Sequence, residues 1–100
     1  LIGACQARPG APTCEAVAGQ FYALARADLE SATVDPGTHR AVGDQLPAMR
    51  DALRDACKDG AWSADVRSCM ASARDHAAMQ SCQQKLSDAQ RAALEQPAGP

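Results

Sequence analysis

Aromatic side chains are scarce in this 100-residue chain: one Phe, one Tyr and one Trp supply 3% of it. The apolar share is 46%, but it comes mainly from alanine, so the chain makes one domain at most, with a thin core. A chain of this length buries about 60–65% of its unfolded surface, which leaves such a core marginal without covalent help. No apolar run has transmembrane length, and neither a useful repeat nor a glycine-rich phosphate cradle appears. There is no Cys-x-x-Cys pair, which excludes the closely spaced thiols of zinc and thioredoxin-type sites. Lysine and arginine are scattered rather than striped. With a net charge of -2 and a pI near 5.5 they leave no electrostatic footprint for nucleic acid or an anionic bilayer, and no nucleic-acid partner is expected.

What the chain has instead is five cysteines, a density that fits disulfides in an oxidising compartment outside the cytosol. Three of them and the only tryptophan fall between Cys57 and Cys82, and the rest of the chain must supply a partner for what that stretch leaves unpaired.

Thr13 reads as an N-cap, with Cys14, Val17, Phe21 and Leu24 following at three- and four-residue spacing and Ala18, Tyr22, Ala25 and Leu29 beside them. This predicts a helix of about twenty residues, stopping near Val34 because Asp35-Pro36-Gly37 is turn chemistry. The composition of Thr38 to Gln45 does not choose between an irregular turn and an imperfect helical one. Pro47 suits the first turn of a second helix, with Leu46, Met49, Leu53 and Ala56 or Cys57 as its buried stripe, ended by Gly60. Ser63 caps a third helix facing inward through Trp62, Val66, Cys69, Met70 and Ala73. A break at Arg74-Asp75-His76 leads to a fourth carrying Met79, Cys82 and Leu86, and the capping box Ser87–Gln90 opens a short fifth through Leu94. The expectation is an all-α, up-and-down bundle of four helices plus a short fifth. It spans residues 13–95, after a start and Pro-rich tether over 1–12 and before a flexible tail over 96–100.

The first residues, L-I-G-A-C, have no methionine at their head, as though cut from the apolar end of a signal segment. Ile2, Gly3, Ala4 and Cys5 resemble a bacterial lipobox. The resemblance implies that Cys5 is the lipid-attachment site, that the membrane is reached through that lipid, and, from Gln6 beside it, that the destination is the outer membrane. Cysteine parity agrees, since removing Cys5 leaves four. The prolines and glycine of Q-A-R-P-G-A-P then form a tether reaching roughly 20 Å.

Four cysteines allow three connectivities. In an antiparallel helical hairpin, bridged residues lie about equally far from the turn. The midpoint of Cys14 and Cys57 falls between Asp35 and Pro36, and that of Cys69 and Cys82 between Asp75 and His76, both at breaks placed on other grounds. Cys57 with Cys69, leaving Cys14 with Cys82, centres on Ser63 and stays open as the alternative. The spacing carried by Cys57, Trp62, Ser63, Cys69 and Cys82 is similar to that of small helical exported proteins and lipoproteins of GC-rich bacteria such as the myxobacteria. That resemblance covers residues 57 to about 94 and names no functional residue.

Candidates for chemistry are few. Met70, His76 and Met79, with Cys69 nearby, form a soft-ligand set suited to Cu(I), although methionines on apolar stripes are commonly gap fillers. His39 stands alone, Ser63 is accounted for as a cap, and Glu15, Asp28 and Glu30 are spread around the first helix. Asp51 and Asp55 alternate with Arg50 and Arg54 on a solvated face, so no acid–base couple stands out. The expected function is a non-catalytic, membrane-tethered interaction or accessory module of the cell envelope, with a protein partner there and no cofactor. The alternative is a carrier of copper or a small ligand, which predicts a cavity or converging Met and His side chains.

Overall fold

A computed structural model describes residues 10–95; Cys5 with its lipobox-like neighbours, and the tail over 96–100, lie outside them. The described chain is all-α: α1 (Cys14–Ser31), α2 (Pro36–Asp59), α3 (Ala64–Ala71), α4 (His76–Cys82) and α5 (Asp88–Glu95), with one 3-10 turn, Gln83–Lys85, after α4.

Polar caps start all five helices. The Thr13 hydroxyl accepts from the Ala16 N–H at 3.0 Å, the Asp35 carboxylate from Thr38 N–H at 2.8 Å, Ser63 from Val66 N–H at 3.2 Å and Asp75 from Ala78 N–H at 2.7 Å. Ser87 and Gln90 close the expected capping box in both directions, at 3.1 and 2.8 Å.

Three expectations are corrected. Helix α1 stops at Ser31, not Val34, because the chain turns extended from Ala32 to the Asp35 cap. Asp35-Pro36-Gly37 is the start of α2 rather than a free turn. Asp35 supplies the cap and Pro36 occupies the first helical position, where its missing N–H costs nothing. The helix then runs unbroken through Thr38–Gln45, so Pro47 lies inside it, four residues after Gly43. Packing against α1 outweighs the lost hydrogen bond: Leu46, one residue before the proline, is buried.

Both bridges fall in the first of the connectivities, Cys14–Cys57 and Cys69–Cys82. They stand around one core cluster built on Val17, Cys57, Trp62, Val66, Met70, Met79, Cys82 and Leu86. The chain is pinned there as it arrives, since Arg67 Nη1 donates to the Pro12 carbonyl at 2.8 Å and Arg67 Nε to the Trp62 carbonyl at 3.2 Å. Away from this base the α1–α2 hairpin continues as an arm. Its only buried residue is Leu46, and the Arg26 and Arg50 guanidinium groups stand over the Tyr22 ring, 5.8 and 5.1 Å from its centre.

Candidate functional site

Helices α1 and α2 pack along their length, and α3 and α4 pack on α1. The side of α2 that faces α4 remains open, leaving a groove of about 760 Å³. Its α2 wall is made by Asp44, Gln45, Ala48, Met49, Ala52, Leu53 and Ala56, a pattern stepping by four and one that keeps one helical face. Met79, His76, Gln80 and Gln83 form the opposite wall, Phe21 and Met70 line the groove between them, and Ala93 and Leu94 come from α5. Helix α5 is fastened to the end of α2 by Gln90 Nε2 donating to the Gly60 carbonyl at 2.8 Å.

All three methionines of the chain line this groove. Met70 and Met79 are 1% and 5% exposed, whereas Met49 is 47% exposed, which corrects its expected place on the buried stripe of α2. The reason is that α2 carries two faces. One, through Leu46, Leu53 and Cys57, is turned to the core; the other, through Val42, Gln45, Met49 and Ala52, is exposed. The seven-residue step from Val42 to Met49 was the signal for a second seam.

The soft-ligand set is brought together in part. Met70, His76 and Met79 share the groove, but the Cys69 sulfur is tied to Cys82 and holds no free thiolate. Among the described residues no three His, Cys, Asp or Glu side chains form a metal-sized cluster. Among the described residues, the polar groups of the lining are one carboxylate (Asp44), one imidazole (His76) and three amides (Gln45, Gln80, Gln83), with no lysine or arginine. This arrangement can bury hydrocarbon along its length and offer hydrogen bonds and one negative charge at its rim.

The remaining candidates are dispersed. His39 lines a separate hollow of about 190 Å³ between the arms of the hairpin, with Tyr22, Arg26 and Leu46. Ser63 is engaged as the α3 cap. Glu15 pairs with Lys58 across the α1–α2 base, and the lysine's hydrogen bond, assisted by a backbone N–H, holds its carboxyl below the usual range. Asp51 and Asp55 pair with Arg50 and Arg54 on the outer face, and Asp55 pushes the Arg54 guanidinium up. Phe21, Leu53, Ala93 and Leu94 are site residues that the one-dimensional pattern assigned only to the core or to the short fifth helix. No family model, curated protein or solved structure matches the chain.

Proposed function

We propose that the domain is a non-catalytic interaction module of the cell envelope whose α2–α4 groove receives an apolar element of a protein partner. The observation that carries this reading is the groove itself, about 760 Å³ and lined mainly by Met, Ala, Leu and Phe side chains; adaptable thioethers are favoured on surfaces that bind other chains. The two bridges mark an oxidising, extracytoplasmic setting, and no helix among the described residues is long and apolar enough to cross a membrane. Attachment through a lipid on Cys5, in the outer membrane and facing the periplasm, is the anchoring we propose on the strength of the lipobox-like residues and the even number of remaining cysteines. Two or more acyl chains suffice for stable anchoring where one does not.

A photo-crosslinking residue at Met49 in the native cell should give one discrete adduct, while the same residue at Ala23, exposed on α1 away from the groove, should give none. Equal adducts at both positions, or none at Met49, would reject the reading. Changing Cys5 to Ser in the precursor should move a folded domain from the membrane to the soluble fraction; retention on the membrane rejects the anchor.

The carrier reading keeps one specific support, the convergence of Met70, His76 and Met79 on the groove. Anaerobic Cu(I) titration against a competing chelator separates the two. Stoichiometric uptake lost in Met79→Leu favours the carrier, and no uptake favours the interaction module.

A further inference from the structure

We infer that the occupant of the α2–α4 groove is a single amphipathic α-helix of the partner, about three turns long, that presents a lysine or arginine to Asp44. This rests on the interaction reading above and specifies its partner.

The first argument is dimensional. The α2 wall runs from Asp44 to Ala56, twelve residues of rise at 1.5 Å each, or about 18 Å. A helix about 10 Å across lying half-sunk over that length displaces about 700 Å³, against the observed 760 Å³. A single extended alkyl chain, without side chains, would leave much of the space to water and forfeit contact on one side.

The second argument is the shape of the wall. Ala48, Ala52 and Ala56 recur at four-residue spacing, with Met49 and Leu53 beside them, so the wall offers a shallow row flanked by a taller one. That is the relief into which the side-chain ridge of another helix packs. Gln45 and Ala52 are exposed, and Val42 and Met49 are 37% and 47% exposed, so α2 carries the stripe of a helix-packing face that no helix among the described residues covers.

The third argument is charge. Among the described residues Asp44 is the one carboxylate in the lining, and neither lysine nor arginine accompanies it there. An acidic helix would bring like charge to Asp44 with no cation to receive it, whereas a basic residue at that end of the occupant is complementary and favours one orientation.

The test uses the oxidised domain and a labelled helix-forming peptide of leucine, alanine and lysine. Its two controls are a twin with glutamate for lysine and a twin with a central proline, which breaks the helix. Fluorescence anisotropy should show saturable binding of the lysine peptide and little of either twin. Met49→Glu, at an exposed position, should weaken it about tenfold by placing a charge in the apolar seam. Asp44→Lys should weaken it roughly fivefold and improve the glutamate twin. Non-specific attraction of a basic peptide to an acidic protein predicts the opposite for Met49→Glu, since that change adds negative charge. Unchanged or tighter binding by Met49→Glu, or equal binding of the proline twin, overturns the helical occupant. A Met49 crosslink in the cell without peptide binding overturns the occupant and leaves the interaction reading standing; loss of both overturns both.

Discussion

Gly60 and Ala61 show how a residue can be in the expected place for a different reason. Helix α2 ends in a Schellman arrangement: Trp62 N–H donates to the Cys57 carbonyl and Ala61 N–H to the Lys58 carbonyl, both at 3.1 Å. The left-handed position that this motif needs is held by Ala61, at φ 49°, while Gly60 keeps a right-handed φ of -84°. Space at 60 favours glycine, because a Cβ there would stand 3.0 Å from the Ala56 carbonyl oxygen and 3.1 Å from the Trp62 indole, and both would have to give by a few tenths of an ångström. Ala61→Gly should therefore raise stability by about 1 kcal/mol, and Gly60→Ala should lower it; urea unfolding of both variants checks the opposite signs.

Two exposed carboxyl groups set the acid side of the stability profile. The Thr38 N–H, then its hydroxyl, hold Asp35 below its ordinary pKa, and Lys58 does the same for Glu15. A depressed folded pKa contributes stability that is present above the unfolded value and is lost as pH falls through the folded one. The loss belongs below about pH 4, under the ordinary carboxylate range. The double variant Asp35→Asn, Glu15→Gln should show a flatter fall in melting temperature there than the parent, and the same curve near neutrality apart from a constant offset.

At the scale of elements, what was legible is what local chemistry decides alone. The caps at Thr13, Ser63 and Asp75, the Ser87–Gln90 box and the Trp62-to-Met70 core face are set by residues within a turn of each other. The cysteine pairing was legible because the hairpin midpoint fell at Asp35-Pro36. That same dipeptide misled the reading of α2, since Asp-Pro-Gly serves equally as turn and as helix start, and Pro47 then looked like the beginning of a helix already under way. Only the length of α1 beside it decides that α2 begins eleven residues earlier, at Pro36. The groove was hidden for a similar reason: Met49 joins the buried stripe by spacing, and only the way α3 and α4 pack on α1 rather than on this face of α2 leaves it bare.

Pro47 sits inside a helix that tertiary packing sustains, where proline normally costs about 3 kcal/mol. Pro47→Ala restores the donor to the Gly43 carbonyl and should raise the denaturation midpoint, by about 1–3 kcal/mol in stability; an unchanged midpoint would show that α2 has fully relaxed around the ring. The bridges close separations of 43 and 13 residues, which chain entropy values at about 4 and 3 kcal/mol. Replacing either pair by serine should lower stability by several kcal/mol, with the Cys14–Cys57 pair the costlier, as calorimetry of the two double variants would show.

For the whole molecule, stability is concentrated at one end. Core residues gather around the bridges and Trp62, while between residues 19 and 56 only Leu46 is buried. Local opening follows the density of buried contacts. Amides in the first two turns of α2 after its cap should exchange with solvent orders of magnitude faster than those of α3 and of α2 near Cys57. Uniform protection along α2 would contradict this distribution.

The position of Cys14, one residue inside the fold, also decides how the domain responds to being pulled. Tension applied upstream of residue 13 arrives at Pro12, held by Arg67 at 2.8 Å, and then at the Cys14–Cys57 bond. From there it passes between sulfurs and bypasses the hydrogen bonds of α1 and α2. The second bond does the same for α4 between Cys69 and Cys82, so separations of 43 and 13 residues are withdrawn from the extensible contour. Phe21, the whole α2 wall of the groove, and His76 and Met79 opposite all lie inside those short-circuited loops. A domain stretched between residue 13 and its C-terminal end would yield first between Cys57 and Cys69 and beyond Cys82, with the α2 wall of the groove and His76, Met79 and Gln80 opposite kept off the line of force.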